Sequence, residues 1–224
     1  MTIDATLDNL SFSLVSPAIP HHKLPENKPL KLGIMASGNG SNFAAIAEAI
    51  KAGKLNAKIQ VLIYNNPDAY VKVRAKNWGI TSIFFNHRDY KNREEFDAKI
   101  TDILQKNDVD WVIMAGWMRL LTPVLIDAFP DKIINIHPSL LPSFKGVRAI
   151  EQALAAKVKI TGCTVHLVCL EMDSGPILMQ AAVPVLEDDT PETLHQRIQI
   201  QEHRILPAAI TLAAQRQAAT VISL

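Results

Sequence analysis

Apolar residues along this chain fall into short β-branched runs separated by amphipathic stretches, and from Leu30 onward the two alternate regularly. Leu30–Ala36, Ala57–Tyr64, Thr81–Phe85, Val109–Ala115 and Lys132–Ile136 read as strands. Between them, Phe43–Ala52, Asp68–Trp78, Arg93–Gln105 and Pro123–Ala128 read as helices. This alternation predicts an α/β fold, a doubly wound and mainly parallel sheet with flanking crossover helices. Val147–Ala156 is a further helix, and Gly162–Cys169 and Pro176–Val185 are late strands whose short connection predicts an antiparallel addition. Thr190 and Pro191 open a long last helix that runs to about Gln215, where Pro207 can kink it.

Residues 1–29 break the pattern. Pro17, Pro20, Pro25 and Pro29 follow an acidic start and surround His21 and His22, which predicts an extended or disordered leader before a single domain over 30–224. Adjacent histidines on a loose segment read as solvated, since no further ligands lie at suitable spacing, and no metal is expected. The chain of 224 residues is 48% hydrophobic, enough for a sizeable core. A net charge of +1 argues against nucleic-acid or membrane-surface partners, which need a clustered basic excess. Cys163 and Cys169 fit neither a metal pattern nor a disulfide framework and read as buried thiols in a reducing, cytoplasmic setting. No apolar run is long enough to span a bilayer, and the prolines interrupt the only apolar patch that could serve a secretory signal.

Candidate chemistry centres on Ile133–Gly146, an apolar run that breaks into a loop with Pro138, Pro142 and Gly146. Asn135 and His137 are two residues apart, so on a strand they face the same side, at the carboxyl end where α/β sheets place their sites. One is an amide donor and the other can carry a proton near neutral pH, although an isolated N-x-H more often reads as a polar strand end with a surface histidine. Ser37–Asn42 lies between a strand and a helix. Its glycines allow amide groups to converge on an anion, although a plain helix cap reads equally well. It lacks the third glycine of a dinucleotide fingerprint and the G-K-[ST] of a Walker loop. Ala115–Leu121 is either core or the wall of a slot for a flat ligand. Asp173 is on a D-x-G-P turn, where a carboxylate can orient an imidazole or simply form the turn. Glu202 falls in the apolar stripe Leu194, Ile198, Ile205, Ala209, Leu212 and so needs a partner, an internal Arg or a ligand amine.

Taken in order, S-G-N-G-S-N (37–42), A-G-x-M-R (115–119), N-I-H-P-S-L-L-P (135–142), D-x-G-P (173–176) and Q-E-H (201–203) resemble the phosphoribosylglycinamide formyltransferases, a folate-dependent family. The resemblance covers Leu30 to about Leu212. It implies a Rossmann-like formyltransferase fold and formyl transfer from the cosubstrate 10-formyltetrahydrofolate to the glycine amine of phosphoribosylglycinamide in de novo purine biosynthesis. It assigns Gly40, Ser41 and Asn42 to the ribonucleotide phosphate and Glu202 to its amine. It assigns Arg93, Met118, Arg119, Leu120, Leu121 and the loop Cys169, Leu170, Glu171, Met172 and Asp173 to the folate. Asn135, His137 and Asp173 are then catalytic. Asn135 and a protonated His137 would donate to the formyl oxyanion, and Asp173 would support the imidazole and the proton transfer. No metal is implied, and a monomer and a homodimer are both compatible.

Related readings are less favoured. A formyltetrahydrofolate hydrolase would use the same Asn/His/Asp set on water, with a regulatory domain for which the leader is too short. A methionyl-tRNA formyltransferase would need a further domain and a basic face. A non-catalytic α/β module would leave Asn135, His137 and Glu202 without a reason.

Overall fold

A computed structural model describes residues 14–19 and 28–222. In chain order its elements are β1 (Val15–Ser16), β2 (Leu30–Ala36), α1 (Ser41–Lys51), β3 (Ala57–Tyr64), α2 (Val71–Asn77), β4 (Ser82–Phe84), α3 (Arg93–Lys106), β5 (Trp111–Met114), α4 (Pro123–Ala128), β6 (Ile133–His137), α5 (Ala149–Ala155), β7 (Ile160–Leu167), β8 (Ile177–Pro184) and α6 (Pro191–Ile222). The strands form one sheet in the order β1-β8-β7-β6-β5-β2-β3-β4. β6, β5, β2, β3 and β4 are mutually parallel. β7 and β8 join antiparallel, as their short connection requires.

The period of two along each strand separates two cores. Leu32, Ile34 and Ala36 face one side and pack with Phe43 and Ile46 of α1 and Ile198, Ile205 and Leu206 of α6. Met35, Val61 and Ile63 face the other, against Phe96, Ile100 and Leu104 of α3 and Leu125 of α4. Burial on both faces explains why the parallel strands read as nearly unbroken apolar runs.

Several boundaries differ from the sequence reading. α2 begins at Val71 rather than Asp68, because Asn66 Oδ1 accepts the Asp68 amide at 3.1 Å and offers the backbone a turn instead. α6 continues through Pro207 to Ile222. Ile205, Leu206, Ala209 and Ile210 are fully buried around the proline, and that packing outweighs the roughly 3 kcal/mol an interior proline costs. Cys163 is buried, but Cys169 lies beyond the end of β7 and is half-buried, so only one of the two is an inert core thiol.

Part of the leader is described. Val15 and Ser16 pair antiparallel with Ala181 and Gln180, and Ala182 donates its amide to the Leu14 carbonyl at 2.9 Å. This adds a short strand beside β8. Residues 1–13 and 20–27, with His21 and His22, lie outside the described residues. Among the described residues no helix is long and apolar enough to cross a membrane.

Candidate active site

β6 delivers Asn135 and His137 to the carboxyl end of the parallel strands, and β7 runs beside it with Asn135 opposite His166 and His137 opposite Thr164. The Asn135 amide Nδ2 lies 3.1 Å from His166 Nε2, and His166 Nδ1 lies 2.8 Å from the Leu167 carbonyl. A carbonyl only accepts, so Nδ1 carries the hydrogen and Nε2 keeps a lone pair for Asn135. Burial lowers the His166 pKa, consistent with this neutral tautomer.

His137 is 6% exposed and faces an oxygen on each side. Nε2 donates to the Phe144 carbonyl at 2.9 Å, and Nδ1 is 3.5 Å from Asp173 Oδ2. The other carboxylate oxygen, Oδ1, is 3.7 Å from His166 Nε2. Asp173 thus lies between two imidazoles, held by the Gly146 amide, which donates to Oδ2 at 2.8 Å. Its φ of 51° is unusual for a residue with a side chain. Thr164 steadies the loop after His137, since its hydroxyl accepts the Leu141 amide at 3.0 Å and donates to the Ser139 carbonyl at 2.7 Å.

On one side of this group is a narrow slot of about 50 Å³ lined by Arg119, Leu120, Leu121, Asn135 and Cys169–Asp173, together with Met114, His166 and Val168. Of the residues assigned to folate, Arg93 and Met118 do not line it. Arg93 is exposed in the first turn of α3, and the Met118 side chain is 78% exposed. Arg119 lies over the Phe96 ring at 5.5 Å, Trp117 stacks on the same ring at 6.1 Å, and buried Asp97 accepts the Thr122 amide at 2.6 Å. These contacts dock the slot-forming segment on α3.

The second feature is the turn Ser37–Asn42. Gly40 has φ 75° and packs so closely on Val71 that no side chain fits, which brings the turn against α2. Arg74 of α2 donates to Asn39, to its carbonyl at 2.8 Å and its side-chain oxygen at 3.1 Å. Gln199 of α6 donates to Ser41 Oγ at 2.9 Å. The turn borders a cavity of about 1040 Å³ between α1 and α6, whose lining includes Asn39, Ser41, Arg74, Gln199 and His203. Ser37 ties the turn to the slot: its amide donates to the Gly116 carbonyl at 3.0 Å, and its hydroxyl accepts the Met118 amide at 3.0 Å.

Glu202 is 5% exposed, and the partner it meets is the Asn42 amide, which donates to Oε2 at 2.9 Å. Burial raises its pKa, and the bond from Asn42 opposes the rise. The Asn42 oxygen is buried with no partner among the described residues. Two acceptors therefore sit together, an arrangement suited to a donor such as an amine. Sequence reasoning missed His166, Gln199 and Arg74. His166 had a signal, an ionisable residue within the apolar strand C-T-V-H-L-V, whereas Gln199 and Arg74 are ordinary helix-surface types. Among the described residues no group of three or more His, Cys, Asp and Glu side chains could hold a metal ion.

Comparison with known proteins gives a consistent picture. Residues 30–210 match the formyl transferase family model. The phosphoribosylglycinamide formyltransferase of Bacillus subtilis is 43% identical over 180 residues, which cover 80% of this chain and 92% of that protein. The human trifunctional purine biosynthetic protein adenosine-3 is 41% identical over 90% of this chain, but the match spans only 20% of its length. Glycinamide ribonucleotide transformylase 1 from Symbiobacterium toebii superposes with a TM-score of 0.83 at 44% identity, covering 85% of this chain and 91% of that one. With a family model matched over most of its length and a bacterial relative aligned nearly from end to end, the chain belongs to the formyl transferase family, in its phosphoribosylglycinamide formyltransferase branch.

Proposed function

We propose that this chain transfers the formyl group of 10-formyltetrahydrofolate to the glycine amine of phosphoribosylglycinamide. The observation that carries the reading is the position of Asp173 between His137 and His166 in the wall of a slot, in a chain that also joins its anion turn to buried Glu202. Amides at Gly40–Asn42 would hold the phosphate at the N-terminus of α1, with Gln199 beside them. Glu202 and the Asn42 oxygen would accept from the amine.

The amine attacks the formyl carbon, and negative charge develops on the formyl oxygen. Asn135 has a second amide hydrogen for that oxygen, and His137 would give up its Phe144 bond to donate as well. One such donor is worth roughly 2.7–4 kcal/mol of barrier. Asp173 would support the imidazolium and pass the proton lost by the amine to the leaving folate nitrogen. Ligand pockets usually exceed about 300 Å³, so the slot would have to widen for the pterin. Leu170 and Met172 line the slot with exposed side chains, and their rearrangement would widen it.

The test follows deformylation of 10-formyltetrahydrofolate with and without phosphoribosylglycinamide. Turnover that requires the ribonucleotide is expected. Equal turnover without it would make water the acceptor and the chain a hydrolase.

A further inference from the structure

We propose that Lys145 is a positioning residue that clasps the segment Cys169–Ser174 to the loop after His137 and so holds Asp173 against the imidazole. The proposal rests on the reading of Asp173 and His137 given above, and it concerns what keeps these two groups together.

Lys145 stands between two residues that touch the site through their backbones. The Phe144 carbonyl accepts from His137, and the Gly146 amide donates to Asp173. Its ammonium donates to Ser174 Oγ, beside Asp173 in the chain, and lies 3.6 Å from Glu171 Oε1. Ser174 Oγ in turn donates to the Met172 carbonyl at 2.9 Å, so the hydroxyl relays the clasp into the opposite segment. The backbone at and just after Lys145 is anchored by α5, since Gln152 Nε2 donates to the Lys145 carbonyl at 3.2 Å and the Val147 carbonyl at 2.9 Å.

The clasp has a physical reason. Phe144 and Asp173 both have positive φ, 55° and 51°, a conformation that L side chains keep only when surrounding contacts impose it. Asp173 is the residue whose carboxylate must stay near both imidazoles. A Cβ on Gly146 would lie 3.2 Å from Met172 Cε, so the two segments already touch. Beside the bond from the Gly146 amide to Asp173, van der Waals contact does not fix their register, and the ammonium supplies a second directed link. Of its two partners, Glu171 is 78% exposed and the ion pair is screened by water. The Ser174 bond, on a lysine whose side chain is only 34% exposed, carries the effect.

Lys145→Met keeps the aliphatic stem and removes the donor. It is expected to lower kcat about tenfold, the scale of losing a hydrogen bond from a charged group, with the KM for phosphoribosylglycinamide unchanged. Lys145→Arg should recover most of the rate. Ser174→Ala should cost as much as Lys145→Met, and the double variant no more than either, because both remove one link. Amide hydrogen exchange at 170–174 should be faster in Lys145→Met, a readout that needs no turnover. Unchanged exchange in a folded Lys145→Met protein, or additive losses in the double variant, would overturn the clasp. Should Lys145→Met not fold, Ser174→Ala carries the test, and native exchange and kcat there would equally overturn it. A wild-type protein without ribonucleotide-dependent turnover would instead sink the functional reading and leave the exchange result to judge the clasp.

Discussion

Replacing Gly40 with alanine perturbs the anion turn at a point where the geometry sets the magnitude. A Cβ there would lie 2.3 Å from Val71 Cγ2, 2.7 Å from Val71 Cβ and 3.1 Å from its Cα. Val71 is fully buried, so it has nowhere to go. The left-handed backbone at φ 75° adds about 1 kcal/mol for any L side chain. Overpacking adds about 1–3 kcal/mol. Taken as strain retained in the fold, a total near 3 kcal/mol lowers Tm by about 6–12 °C. If the turn shifts to relieve the strain, its amides no longer converge. Loss of one bond to a charged phosphate then raises the KM for phosphoribosylglycinamide by about ten- to a hundredfold. The assay is steady-state kinetics with each substrate varied, beside a melting curve. The donor KM should change less, because the slot segment, although linked to the turn through Ser37, is also held on α3 through Phe96 and Asp97. Val71→Ala in the same chain should restore part of the loss, since it removes Cγ2 but leaves Cβ and the positive φ. Native ribonucleotide KM together with native Tm in Gly40→Ala would refute the reasoning.

Three further outcomes follow from the site and its supports. His137→Ala should lower kcat by about 10²–10³ while the protein remains folded, and single-turnover rates at wild-type level would remove the imidazole from the chemistry. Glu202 has a folded pKa above its unfolded value, so its ionised form opposes folding once pH exceeds that raised pKa, and the opposition is absent below the unfolded pKa. Glu202→Gln should therefore raise Tm at pH 8 and weaken phosphoribosylglycinamide binding; a lower Tm would contradict the first half. Asp189, bonded to both terminal nitrogens of Arg197 at 2.6 and 2.9 Å, has its carboxyl held at about 2, down from 3.8. Its contribution of about 2 kcal/mol is present above the unfolded pKa and disappears as pH falls through the folded one. Acid unfolding of Asp189→Asn should be correspondingly flatter between about pH 4 and pH 2, and identical curves would count against the pair.

Not all of the site was equally readable. Asn135 and His137 share a face by the local geometry of any strand, so their pairing needs only the sequence. Thr190 acts as a cap as expected, accepting the Thr193 amide at 3.3 Å. Asp173 was readable as a turn, but its meeting with two imidazoles depends on how the segment after β7 folds back over β6. His166 becomes important only through the antiparallel register that sets it opposite Asn135. Ile205, Leu206, Ala209 and Ile210 show why Pro207 misleads: a local breaker signal yields when surrounding burial is complete.

The alternation of strands and helices, the glycine turn before α1, and a carboxylate within an apolar stripe of α6 are local properties of the chain, set by side-chain periodicity and backbone preference. Their order along the sequence also carried the likeness to the formyltransferases. Tertiary structure decided which groups meet. It joined Glu202 to Asn42 across 160 residues, placed Asp173 between His137 and His166, and tied Lys145 to Ser174. Such pairings depend on sheet order and register, which depend on every strand at once, and no local stretch of sequence contains them.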